Sequence, residues 1–189
     1  MDTLLKNNEG QLKSFDKTYK WLHWSMAILV MLMLFAAVGF APGMPQSEHM
    51  EMLTGHSSIG TLVSILLIMR VAKRFVKRDP QPMQNIAHWQ KLASKVVQLG
   101  LYFSLVFVPV TGYLTARFHE LPVMVFGAFN LNQAGSQGFN QETFEMIRLA
   151  HELGTKMIMI LLVLHIGGAL YHRFVKKDDV LASMTSLKN

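Results

Sequence analysis

The sequence predicts an all-α membrane protein, a four-transmembrane-helix up-and-down bundle with both termini in the cytoplasm, and three observations predict it. Hydrophobic residues make up 51% of the chain and charged ones only 16%, a balance foreign to ordinary soluble domains. The apolar residues gather in four stretches, each long enough at about 1.5 Å per residue to cross a hydrocarbon core of about 30 Å. The basic residues cluster on alternate sides of those stretches.

Residues 1–20 are polar and mixed in charge, a tail expected to turn helical near Ser14. Trp21 to Phe40 then runs for twenty residues without a formal charge and forms the core of a first span over about 17–40. A lysine before an apolar run ending in Ala-Ala-Val-Gly-Phe-Ala imitates a secretory signal. A signal's apolar region, however, is only about 7–15 residues and carries no buried histidine, so the segment reads as a retained helix. Ala41 to Thr54, with Pro42, Gly43, Pro45 and two glutamates, reads as a loop. A second span over about 55–74 follows, built on His56 to Ala72, whose only formal charge is Arg70 near its far end. Lys73 to Lys95 is strongly basic and broken by Pro80 and Pro82. The third span, about 93–116, contains Pro109 and Gly112. Residues 117–141 form a loop rich in Gly, Asn and Gln, and Asn140 is placed to cap the fourth helix. That helix, about 142–175, would be roughly 50 Å long, so its start should project beyond the bilayer.

Of eighteen Lys and Arg, four lie in residues 1–20, seven in 70–95 and four in 173–189; Arg117, Arg148 and Lys156 are left for the other side. The positive-inside rule therefore places both termini in the cytoplasm. A formal charge of +6 is explained by topology and needs no nucleic acid. The chain has no cysteine, which excludes disulfides, thiolate metal sites, iron–sulfur clusters and c-type haem attachment. With no internal repeat, residues 1–189 read as a single domain.

The stretch from Glu142 to Val175 carries His151, His165 and His172. At 100° per residue, His151 and His165 fall within about 40° of each other and roughly 21 Å apart along the axis, with His172 about 10 Å further on. Ionisable side chains inside a hydrophobic span normally face the bundle interior and have a function. The topology places His23 near the inner end of helix one and His56 at the outer end of helix two. On helix four, His151 is outer and His165 inner. Depth thus pairs His23 with His165 and His56 with His151. Each pair comes from two helices and could ligate one iron axially through neutral imidazoles, as in a low-spin electron-transfer haem. Two haems would then stack across the membrane. Arg70, fourteen residues after His56, lies on the same face one haem level further in, where propionates would supply its anion. Gly39, Gly60, Gly112 and Gly154 stand where a flat ring would need backbone to withdraw, or where helices pack closely.

Other polar features have plainer readings. His49, His88 and His119 fall outside the spans and read as solvated or interfacial. Tyr19, Trp21, Trp24, Trp89 and Tyr171 lie near span ends, as in an aromatic belt. His151-Glu152 begins like HExxH, but Thr155 stands at the second histidine, which excludes that zinc motif.

With these residues in place, the chain resembles the bacterial cytochrome b561 family of small four-helix, di-haem cytoplasmic-membrane cytochromes, and within it the superoxide oxidase type. The resemblance covers residues 17–185. It rests on Trp21-Leu22-His23-Trp24, on Gly55-His56 with Gly60 and Arg70, and on Leu101-Tyr102 with Pro109 and Gly112-Tyr113. Val125-Phe126-Gly127, His151-Glu152 and the string LHIGGALYHRFVKKDDVLASM from Leu164 to Met184 complete it. It implies two haem b groups on His23, His56, His151 and His165, and a quinone site at the cytoplasmic end with its histidine at His172. Two positions depart from the family pattern: Gln98 stands where members commonly have a histidine, and Arg173 replaces a frequent second histidine.

The expected function is that of a membrane oxidoreductase in the bacterial inner membrane. It would carry electrons from a periplasmic donor, superoxide by resemblance, to ubiquinone near the inner haem. Arg117, Arg148 and Lys156 are the cations that could steer a small anion to the outer side, among Glu120, Glu142, Glu145 and Glu152. The alternative is a quinol-oxidising carrier that passes electrons to a periplasmic redox partner, or the haem subunit of a larger complex, with a docking patch on the 117–141 loop. A neutral imidazole at His172 could hydrogen-bond a quinone carbonyl and relay the proton that reduction demands.

Overall fold

A computed structural model describes residues 15–37, 39–40, 43–76, 87–132, 141–178 and 180–185. Its long helices are α1 (Lys17–Ala37), α2 (Gln46–Val76), α3 (His88–Arg117) and α4 (Gln141–Tyr171). A two-stranded hairpin, β1 (Met124–Val125) and β2 (Phe129–Asn130), lies between α3 and α4. A π-helical turn, His172–Lys176, continues α4, and a one-turn helix α5 (Ala182–Thr185) follows.

The helices alternate in direction. α1 packs along α2 and α3 along α4, and the two hairpins meet through α2 and α3. At one end, the Phe15 N–H donates to Ser183 O (3.3 Å) and the Trp24 indole N–H to Met184 O (3.0 Å). Lys73 pairs there with Asp16 at 3.0 Å. At the other end the β-hairpin is seated on α2, about three turns in from its start, where the Ser57 hydroxyl donates to Met124 O (2.5 Å) and the Phe126 N–H to Ser58 Oγ (2.7 Å).

The helices α1, α3 and α4 with its π-turn are each long and apolar enough to cross a membrane. α2 matches α4 in length, at 31 residues, but threads Ser57, Ser58, Thr61, Ser64, His56 and Arg70 among its apolar residues. Its hydroxyls turn back onto their own helix, Thr61 to Ser57 O and Ser64 to Gly60 O, each at 2.8 Å, which satisfies them without water. Large apolar side chains face outward on every helix: Phe35, Ile68, Leu99 and Val163 are all about 70% exposed. Such a surface suits lipid. The interior core is correspondingly thin: Met26, Val30, Val63, Leu67 and Ile158.

Some boundaries differ from the expected ones. α2 begins at Gln46, not near residue 55, so most of the segment expected as a loop is helical. Pro45 starts it, its carbonyl accepting the His49 N–H at 3.0 Å, and Glu48 sits in the favourable first turn. α3 likewise begins at His88. Both extensions are polar turns beyond the apolar run, where hydropathy carries no signal. The β-hairpin is also new: the Ala128 N–H closes a turn onto Val125 O (3.0 Å), with φ of 53° at Phe126 and 67° at Gly127. The expected helical onset at Ser14, the breaks at Pro80 and Pro82 and the Asn140 cap lie outside the described residues.

Candidate functional site

Seven-residue steps organise the interior. His151, Ile158, His165 and His172 succeed one another on α4, His56, Val63 and Arg70 on α2, and His23 and Val30 on α1. Each step advances about 10.5 Å and rotates the face by only about 20°, so antiparallel helices with this spacing stack in layers. His56 faces His151 with ring centres 6.1 Å apart and planes at 75°. His23 faces His165 at 6.2 Å and 69°. Between the two levels lie Val30, Val63 and Ile158 of the core.

These separations suit one iron between each pair. Two metal–imidazole bonds of about 2.0–2.1 Å, with each ring centre about an ångström behind its nitrogen, give about 6 Å. The donor set points to haem and not to a bare ion. Each level offers two imidazoles, and among the described residues no three or more His, Asp or Glu side chains gather to hold a metal. A bare ion would be left two-coordinate, whereas a porphyrin brings four nitrogens of its own.

His151 is oriented by α3. Its Nδ1 lies 3.0 Å from Val108 O and 3.2 Å from the Thr111 hydroxyl. A carbonyl can only accept, so Nδ1 carries the proton and Nε2 is left free for a metal, as in most histidine metal sites. Pro109, within α3, removes a helical N–H beside this contact. Gly112 is what lets the ring sit there, since a Cβ would meet His151 Cε1 at 2.9 Å and Nδ1 at 3.2 Å. With one haem expected at each pair, Gly112→Val should therefore displace the ring and lose the haem of the His56–His151 pair while keeping the other. Full retention of both in the reduced-minus-oxidised spectrum would contradict this. Gly154 packs against Phe107 and Val108, serving the α3–α4 contact, and Gly60 faces Met33. On the facing ring, His56 Nδ1 is buried without a protein partner.

Arg70 closes the inner level. Its guanidinium lies over the rings of Tyr19 (5.1 Å) and Tyr102 (5.7 Å), and one NH2 group donates to His23 Nδ1 at 2.7 Å. Arginine has no acceptor, so this bond leaves the lone pair on Nδ1 and the proton on Nε2. Iron on Nε2 needs the reverse, so holding haem there requires Arg70 to turn off the ring. Its Nε is buried without a partner and has a hydrogen bond to give to an anion. Tyr19, expected in the aromatic belt, is instead buried beside Arg70 and reaches the Tyr102 hydroxyl at 3.4 Å. Trp21, Trp24, Trp89 and Tyr171 are exposed, as a belt requires.

Two histidines expected to be solvated or interfacial also come together. His49, from the first turns of α2, and His119, just past α3, stand 6.1 Å apart, half-buried, with Phe40 and Phe144 against them. Burial holds the His119 imidazole below its ordinary pKa, so it is neutral near pH 7. Its Nδ1 accepts the Leu121 N–H at 2.9 Å, which occupies the ring with the loop fold. His88 is exposed, as expected. Of the three cations expected on the outer side, Arg148 is paired with Glu152 at 3.0 Å.

His172 stands one heptad beyond His165, in the π-turn. Its Nδ1 lies 2.6 Å from Asp178 Oδ2 and both side chains are 17% exposed. Spacing along α4 marks His172, but nothing in the sequence pattern alone assigns Asp178 to it.

Residues 14–187 match the family described as prokaryotic cytochrome b561. Cytochrome b561 homolog 1 of Escherichia coli K12 is 25% identical over 175 residues, covering 92% of this chain and 97% of its own. Cytochrome b561 homolog 2 of the same organism is 32% identical over 133 residues, 68% of each chain.

Proposed function

The chain belongs to the prokaryotic cytochrome b561 family, and we propose that within it the protein is a di-haem b oxidoreductase linking a periplasmic donor to ubiquinone. It is a membrane electron-transfer protein that binds haem b, as its family does. The reading places all four long helices across the cytoplasmic membrane with both termini inside. It is carried by one observation, the two imidazole pairs 6.1 and 6.2 Å apart at two levels of the bundle.

His56 and His151 hold the outer haem, His23 and His165 the inner one. Haem bound there supplies reversible one-electron transfer. The protein's own groups do the rest. Val108 O and the Thr111 hydroxyl fix the His151 ring; Arg70, whose buried Nε has no partner, would supply a cation for haem propionates; Val30, Val63 and Ile158 keep water out between the levels. At the cytoplasmic end His172 hydrogen-bonds a quinone carbonyl and passes on a proton. In the overall reaction two superoxide anions become two dioxygen molecules, and one ubiquinone takes two electrons and two protons to become ubiquinol. Arg117, Arg148 and Lys156 are the candidates to steer the anion, with Glu152 offsetting Arg148.

Stopped-flow mixing of the oxidised protein with superoxide tests the donor. The haem should be reduced at a rate that rises with superoxide concentration and falls with ionic strength; no reduction at any concentration rejects this donor.

One feature favours the second reading, a relay to a periplasmic partner. The β-hairpin turns Phe126 and Phe129 outward, 54% and 68% exposed, and holds Phe126 at positive φ, a conformation costly for a bulky residue. A relay expects a redox protein to co-purify, and to be lost when both phenylalanines become serine.

A further inference from the structure

We infer that Asp178 is the positioning residue for His172: it fixes the imidazole so that Nε2 alone faces the quinone and balances the ring's charge when it carries both protons. The inference rests on the quinone reading of His172 given above.

The geometry comes from how α4 ends. The π-turn closes on Lys177, at φ 53°, whose N–H donates to His172 O. The Asp178 N–H donates to the same carbonyl at 3.2 Å. This double return reverses the chain within six residues and brings the Asp178 side chain back onto the His172 ring. Oδ2 lies 2.6 Å from Nδ1, while Oδ1 accepts the Val180 N–H at 3.2 Å. One carboxylate oxygen thus anchors the side chain to the following turn and the other is committed to the imidazole. That turn is itself tied down, since Ser183 O accepts from the Phe15 N–H and Met184 O from Trp24. The carboxylate is therefore held from both sides.

The chemistry follows from donor and acceptor roles. A carboxylate can only accept, so Nδ1 of His172 keeps its proton in both charge states, and only Nε2 exchanges one. When the ring is doubly protonated, its Nε2–H donates to a quinone oxygen. As the quinone receives two electrons from the donor, the Nε2–H bond breaks and an O–H bond forms. His172 is left neutral with Nδ1–H still on Asp178, and the second proton comes from water. Cytoplasmic water then restores the Nε2 proton. Without Asp178 the ring could rotate or shift tautomer, and its protonated form would lose its counter-charge.

The test uses the full-length protein with both haems and a short-chain ubiquinone. Asp178→Asn keeps the shape of the side chain but removes its charge. It should retain both haems, lower kcat for quinone reduction about tenfold, in the range for losing an orienting carboxylate, and change KM little. Asp178→Glu should recover most of that rate. The His172→Gln/Asp178→Asn double variant should be no slower than His172→Gln alone, as expected of groups acting as a unit. A merely structural role would instead lower haem content or raise KM, with effects that add. If His172→Gln slows the reaction and Asp178→Asn does not, the positioning role is overturned while the quinone reading stands. If neither slows it, the quinone reading falls and this inference with it.

Discussion

On the proposed pairing, His56→Ala should take the protein from two haems per chain to one, and His151→Ala should remove the same haem. His23→Ala and His165→Ala should each remove the other. The size of the effect follows from the donor set. Each level has two imidazoles facing one another at 6.1 or 6.2 Å, and among the described residues no group of three or more metal-binding side chains offers a replacement set. A haem held without covalent attachment thus loses half its protein ligands with one substitution. The separation between levels, two heptads or roughly 21 Å, with Val30, Val63 and Ile158 between, keeps the loss local. Haem extracted per chain and the reduced-minus-oxidised spectrum of each variant give the answer. If His23→Ala and His165→Ala removed different haems, the pairing would be refuted.

His172→Gln should keep both haems and their spectra but slow electron exchange with a ubiquinone analogue about tenfold or more, the lower range of general acid–base contributions. Glutamine can still offer a hydrogen bond to a carbonyl, so binding should suffer less than turnover. It cannot exchange a proton as an imidazole can. The residue stands in the π-turn beyond the last ligand, with Arg173, Lys176 and Lys177 exposed around it, where water reaches the ring. Unchanged quinone kinetics with both haems in place would move the quinone site elsewhere, with Gln98 the next position to examine.

Much of this was legible in the amino-acid order, because membrane helices obey few rules and obey them strictly. Twenty uncharged residues from Trp21 to Phe40 have no other stable home than a spanning helix. A histidine placed among them must face inward. The heptad steps from His151 to His172 and from His56 to Arg70 set the levels, since a helix converts spacing into height and azimuth almost without freedom. The four interior histidines and Arg70 could therefore be named, and matched by depth, before any coordinate was known.

Sequence by itself thus determined the four long helices, three of them apolar enough to cross a membrane, and the level of each interior histidine. Tertiary structure decided what lies between segments and around the rings. Only the approach of α3 to α4 brings Val108 O to His151, because Gly112 leaves room there. Only the packing of α1, α2 and α3 buries Tyr19 against Arg70 and Tyr102. The meeting of His49 with His119, the β-hairpin, and the return of Asp178 onto His172 all lie in polar segments with no apolar period to read. There the backbone path is set by single hydrogen bonds and positive-φ residues, Gly127 and Lys177 among them, and contacts so local leave no repeating mark in a sequence.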